Sequence, residues 1–159
     1  MDINEAMNTI RNLPPKISVH LRGQPGIGKT FGVHKLARET GCMRVENGKL
    51  TPGAYVLLAT TMDPTDLSGI TWKKKVTDTK SITEWSPPIW AYELSKDYPQ
   101  SFPAILFMDD MQTADESIQA GCFRLVHEYA VGPFEFRPNV RIIAASNRAE
   151  DKASVKDMP

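Results

Sequence analysis

Cysteine is scarce in this sequence. Cys42 and Cys122 are the only two in 159 residues, and they stand far apart. No C-x-x-C spacing exists, which argues against a structural zinc site and a disulfide framework, and makes a reducing compartment the default. Charge of one sign is lacking too: 19 basic and 19 acidic residues give a formal net charge of zero. Nucleic-acid binding driven by overall charge is therefore disfavoured, although a local basic patch stays open. No run approaches the ~20 apolar residues that span a bilayer. The start, Met1-Asp2-Ile3-Asn4-Glu5, has no basic region followed by an apolar stretch, so it does not read as a secretory signal. The expectation is a soluble, cytoplasmic protein without a membrane segment. With Gly 10 and Pro 12 the chain is neither low-complexity nor fibrous. Its length fits one domain over 1–159, and such a chain buries roughly two thirds of its unfolded surface.

Periodicity alternates between strand and helix. Asp2 can cap a helix with Ile3, Met7 and Ile10 on one face, closed before Pro14-Pro15. Ile17–Leu21 reads as a strand that runs into Gly23-Gln24-Pro25-Gly26-Ile27-Gly28-Lys29-Thr30. A helix follows, with Val33, Leu36 and Ala37 inward and Gly41 as its stop. Tyr55–Ala59, Ala104–Met108 and Arg141–Ala145 are continuous apolar runs, as in parallel strands buried on both faces. Thr113 with Glu116 reads as a capping box. The helix after it carries Ile118, Cys122, Leu125, Val126 and Tyr129, and Gly132-Pro133 is its expected end. Strands alternating with helices predict an α/β fold with a parallel sheet. Residues 70–86 depart from the pattern: Ile70, Trp72, Ile82 and Trp85 flank a polar centre and predict an inserted β-hairpin.

Gly23 to Thr30 matches G-x-x-x-x-G-K-S/T and sits where a strand turns into a helix. Glycines let backbone N–H groups curl round phosphate oxygens without a Cβ in the way. Lys29 then places a point charge on the β and γ phosphates, and the Thr30 hydroxyl is a Mg²⁺ ligand. The positive end of the following helix faces the same anion. The loop residues Gly23, Gln24, Pro25, Gly26, Ile27, Gly28, Lys29 and Thr30, with Phe31 next to them, form the expected ATP-binding segment.

Ile105-Leu106-Phe107-Met108-Asp109-Asp110 is an apolar strand ending in two carboxylates. Asp109 suits the metal-holding role at a neighbouring strand end, usually through water. Asp110 suits the orientation and deprotonation of an attacking water. Ile142-Ile143-Ala144-Ala145-Ser146-Asn147 also ends in a polar residue, and beside the other two strands it would bring the Asn147 amide near a γ-phosphate. Each feature has an ordinary alternative, since acids and asparagines are common after strands.

These segments, with Asp63-Pro64-Thr65-Asp66-Leu67-Ser68-Gly69 and Ala145-Ser146-Asn147-Arg148, resemble AAA+ ATPases, and within them the MoxR-like branch of phage and bacterial type. The resemblance implies a three-layer P-loop NTPase core with ATP and Mg²⁺. It implies Lys29 and Thr30 on phosphate and metal, and Asp109 as the Walker B aspartate. Asp110 stands where the catalytic glutamate usually sits, one methylene shorter, and Asn147 corresponds to sensor 1. It also implies ring assembly, usually hexameric, and a chaperone-like or remodelling action on a protein, commonly with a von Willebrand factor A domain partner. The chain departs from the family at Lys156-Asp157-Met158-Pro159, where a fifth strand, an arginine finger and a helical lid with sensor 2 would otherwise follow. An incomplete module is therefore expected, with its first strand at the sheet edge, where complete AAA+ sheets run 5-1-4-3-2. Arg148 is read as a basic surface residue rather than the finger.

Two other functions compete. A P-loop kinase for a small acceptor fits the length, but no Arg-rich lid segment is present. A nucleotide-gated binding module with little turnover fits the shorter Asp110. Trp72, Lys73, Lys74, Lys75, Lys80 and Trp85 put basic and aromatic residues on the hairpin, as either a substrate-contacting loop or a solvated one. His20, His34 and His127 share no metal spacing and read as structural, and Met108 and Met111 read as packing residues.

Overall fold

Helix α1, Ile3–Asn12, starts where its sequence says it should. Asp2 accepts from the Glu5 N–H at 2.8 Å and Glu5 returns the bond to the Asp2 N–H at 2.9 Å, which satisfies two orphan donors at once. The computed structural model of the chain describes residues 1–148. The expected stop at Lys156–Pro159, and with it the absence of a fifth strand and lid, lies outside the described residues.

Four strands form a parallel sheet in the order β1 (Val19–Arg22), β10 (Val140–Ser146), β7 (Ala104–Asp109), β4 (Tyr55–Leu58). The central strands are apolar at nearly every position because both sheet faces are covered. Ile105, Phe107, Ile143 and Ala145 face one core with α1 and α2 (Lys29–Glu39). Leu106, Met108, Ile142 and Ala144 face the other, with α5 (Glu116–Glu128), α4 (Ile89–Leu94) and α3 (Pro64–Ser68). β1 pairs with β10 alone among the described residues, so it is a sheet edge, as expected. Three hairpins decorate this frame: β2 (Met43–Glu46) with β3 (Lys49–Pro52), β5 (Ile70–Lys75) with β6 (Ser81–Ser86), and β8 (Ala130–Val131) with β9 (Phe134–Glu135). The three-layer α/β fold, the parallel sheet and the inserted hairpin at 70–86 are those of a P-loop NTPase core.

Several local expectations are corrected. The first strand begins at Val19, because the Ile17 N–H is used in a turn to the Pro14 carbonyl. Thr113 caps nothing: its hydroxyl bonds back to the Asp110 carbonyl at 3.0 Å, and Asp115 is the residue that precedes α5. That helix ends at Glu128, where Tyr129 turns left-handed at φ 53°. Gly132-Pro133 is the turn between β8 and β9 rather than a helix stop. Met108 and Met111 are buried, as expected of packing residues.

Candidate functional site

The carboxyl ends of β1, β7 and β10 converge on one corner. The register sets this: Leu58 of β4 stands opposite Asp109, Met108 opposite Ala144, and Arg22 opposite Ser146. The residues that follow these strands, the Gly23–Thr30 loop, Asp110 and Asn147, therefore emerge side by side. Gly26 and Gly28 hold φ of 79° and 85°, and nothing stands within 4 Å of a Cβ built on either. Conformation, not crowding, is thus what requires glycine there. Gly28 is the residue before α2 and no side chain caps that helix, which leaves its first-turn N–H groups to the loop's interior.

Lys29 is buried, 9% exposed, although it carries a charge. Its ammonium donates to the Gly23 carbonyl at 2.9 Å, the Gln24 carbonyl at 2.8 Å and Asn147 Oδ1 at 2.9 Å. Three donors meet three oxygens, which is how a buried ammonium is made tolerable. The Thr30 hydroxyl donates to Asp109 Oδ2 at 2.6 Å, and the Asp110 N–H reaches Asp109 Oδ1 at 3.0 Å. Asp110 itself is left-handed at φ 55°, an uncommon state for a non-glycine residue. Phe31 points outward, 73% exposed.

The structure thus brings Lys29 into contact with Asn147 and Thr30 into contact with Asp109, with Asp110 next in chain. The remaining loop residues, Gly23, Gln24, Pro25, Gly26, Ile27 and Gly28, connect β1 to α2, with Gly23 buried and Gln24 to Ile27 exposed. Among the described residues no group of three or more His, Cys, Asp or Glu could hold a metal. The Thr30 hydroxyl and Asp109 carboxylate still fit Mg²⁺, which takes hard oxygens and is usually held by one or two protein ligands beside substrate phosphates and water.

Two partners of this corner had no signal in the sequence. Gln112 Oε1 accepts the Asn147 N–H at 3.0 Å, and His20 Nε2 lies 2.7 Å from Ser146 Oγ. Both join residues remote in the chain, so no spacing rule could have found them. Burial, and then the Arg22 charge, holds the His20 pKa below its ordinary 6.5. His20 is exposed on β1, and its partner is the residue that precedes Asn147.

No family model matches the chain. Its fold is similar to that of a candidate ATPase from Cytophaga hutchinsonii, with a TM-score of 0.52 and 17% identity over 92% of this chain and 38% of that one. It is similar also to NtrX from Brucella abortus, with a TM-score of 0.52 and 14% identity over 99% of this chain and 32% of that one. The chain thus spans less than two fifths of the length of either structure. At such identities the likeness is one of fold.

Proposed function

We propose that this chain is the nucleotide-binding core of an AAA+ type, MoxR-like ATPase that binds ATP with Mg²⁺ and hydrolyses it to drive a partner. The observation that carries this is the set of contacts joining Lys29 to Asn147 and Thr30 to Asp109 across three strand ends. Chance glycine and acidic residues would not converge on one corner.

In this reading Lys29 exchanges one of its present acceptors for a phosphate oxygen, and the loop's backbone N–H groups surround the phosphates. Thr30 and Asp109 would hold Mg²⁺, and the metal would supply positive charge beside the phosphates. Asp110 orients the attacking water and takes its proton, and the Asn147 amide fixes that water's position. Gln112 keeps the Asn147 backbone in place. The action on a partner, ring assembly and a von Willebrand factor A domain partner follow from the resemblance in sequence, and a protein substrate agrees with the zero net charge.

The test is a titration with a fluorescent ATP analogue, with and without Mg²⁺, beside Lys29→Ala. Saturable, Mg²⁺-dependent binding that Lys29→Ala abolishes is expected. Binding that survives Lys29→Ala overturns the reading. A second reading, a nucleotide-gated module with little turnover, is favoured by Asp110. Its carboxylate is a methylene shorter than glutamate and its backbone is left-handed, and placement errors of about 1 Å cost catalysis heavily. Tight MgATP binding without phosphate release, restored by Asp110→Glu, would select it.

A further inference from the structure

Strand β10 is paired on both sides for most of its length and on one side only at its end. Its ladder with β7 runs from Val140, opposite Ala104, to Ala144, opposite Met108. Its ladder with β1 continues to Ser146, opposite Arg22. Ala145, Ser146 and Asn147 thus overhang the β7 ladder, and the overhang carries the amide that meets Lys29. The Gly23 N–H donates to the Ser146 carbonyl at 3.3 Å, and the Asn147 N–H donates to Gln112 Oε1 at 3.0 Å. A shorter contact, 2.7 Å, joins His20 Nε2 to Ser146 Oγ, and it is the one hydrogen bond of that hydroxyl among the described residues. Ser146 is buried, 5% exposed, whereas His20 is exposed at the sheet edge. His20, Gln112, Ser146 and Asn147 all line one cavity of about 350 Å³. On that face the overhang borders space, so hydrogen bonds hold it rather than packed side chains.

His20 stands opposite Ala144, two residues before Ser146, so the pleat puts the His20 and Ser146 side chains on one face. A hydroxyl shut away from water depends on the partner it has. We propose that His20 is a positioning residue for hydrolysis: its bond to Ser146 fixes the end of β10 so that the Asn147 amide stays in line with Lys29 and the attacking water. The inference rests on the role proposed above for Asn147. His20 acts through Ser146, not on the phosphates. Without the bond the Ser146 side chain loses its tether, and the strand end turns more freely about its remaining contacts. A misplacement of about 1 Å that starts away from the reacting atoms is enough to slow a reaction heavily. Nucleotide affinity resides in the loop, Lys29 and Thr30, so the loss falls on turnover rather than on binding.

The experiment compares the full chain with His20→Ala, Ser146→Ala, their double variant and His20→Gln, which keeps an amide where Nε2 stood. Phosphate release from MgATP and MgATP affinity are measured for each. Turnover should fall about tenfold in either alanine variant, as for one lost hydrogen bond, with affinity near the parent's. The double variant should lose no more than a single one, because both remove the same bond. His20→Gln should recover most of the rate. Unchanged turnover in His20→Ala, or a loss of affinity as large as the loss of turnover, overturns the proposal. So does a loss in His20→Ala that Ser146→Ala does not share; where Ser146→Ala fails to fold, His20→Ala against His20→Gln decides. The NMR signals of the Asn147 side-chain amide, read without nucleotide, keep the test independent of hydrolysis. They should move in the alanine variants and return in His20→Gln. Signals that stay in place overturn the proposal even where the parent hydrolyses ATP. A parent that releases no phosphate overturns the hydrolysis reading instead, and the Asn147 signals still decide whether His20 places that side chain.

Discussion

At the loop corner several polar contacts reach across the sheet: Lys29 to Asn147, Thr30 to Asp109, and the Asn147 backbone to Gln112, while Lys29 also holds the Gly23 and Gln24 carbonyls of its own loop. Along the β5–β6 hairpin they answer to the hairpin itself, Lys74 to Glu84 and Lys75 to Asp78. Every residue of β5 is exposed. The hairpin is fastened at its base, where the Trp85 indole donates to the Ser68 carbonyl at 2.8 Å and packs 5.9 Å from the Phe134 ring. The corner is thus cross-linked between residues 35, 79 and 118 positions apart, and a change in one strand is felt by the others. The hairpin can change along most of its length without the corner noticing.

The sharpest way to break this contrast is Asn147→Ala. It removes one acceptor of Lys29 and the amide proposed to place the water. Phosphate release should fall by about a hundredfold, the usual cost of one preorganised polar group, while MgATP affinity changes far less. Steady-state phosphate release beside a nucleotide titration measures both. A loss confined to affinity would mean that Asn147 serves only to hold Lys29.

Gly69→Ala tests the hairpin's fastening. Gly69 has φ of 82°, and an added Cβ would meet the Ser86 carbonyl oxygen at 2.1 Å and the indole nitrogen of Trp85 at 2.8 Å. Backbone and a hydrogen-bonded ring cannot yield as a flexible side-chain tip does. A loss of more than about 2 kcal/mol is expected, from strain and steric conflict together, read from urea unfolding. Stability close to that of the parent would show that the base of the hairpin is looser than its contacts imply.

The sequence was most legible where one strong pattern controls the backbone. The glycines and Lys29 of the loop, the apolar runs of β7 and β10, and the Asp2–Glu5 cap each carry their geometry in adjacent residues. So did the hairpin, through its alternation around Val76–Thr79. What stayed hidden depends on partners far away in the chain. Gln112 meets Asn147 and His20 meets Ser146 only because the sheet order puts β1, β10 and β7 side by side. Gly132-Pro133 misled because a turn between two short strands and a helix stop use the same residues. Tyr129 is one of the few non-glycine residues to turn left-handed, and it ends α5 before that turn.

His20 gives a smaller, pH-dependent effect. Its pKa in the folded chain is below 6.5, through burial and then the Arg22 charge. The unfolded chain therefore takes up a proton that the folded one resists, and acid favours unfolding. His20's contribution should be complete above pH 6.5 and lost as the pH falls through its folded value. Urea midpoints on either side of that pH should diverge in the parent and less so in His20→Gln. Equal divergence in both would place the acid sensitivity elsewhere.

The smallest effect is expected from replacing Lys73, Lys74 and Lys75 together by serine. The Lys74–Glu84 and Lys75–Asp78 pairs are exposed, where an ion pair contributes less than about 1 kcal/mol. Among the described residues the bonded partners of Lys74 and Lys75 are Glu84 and Asp78, both on the hairpin. The unfolding midpoint and the affinity for MgATP should both stay near those of the parent. A change in nucleotide affinity would contradict the separation drawn between the two regions, since it would require the hairpin to reach the loop. If both quantities hold and action on a partner is lost, the lysines belong to the partner's surface. The exposed row of Ile70, Trp72 and Ile82 beside them then becomes the next set to vary.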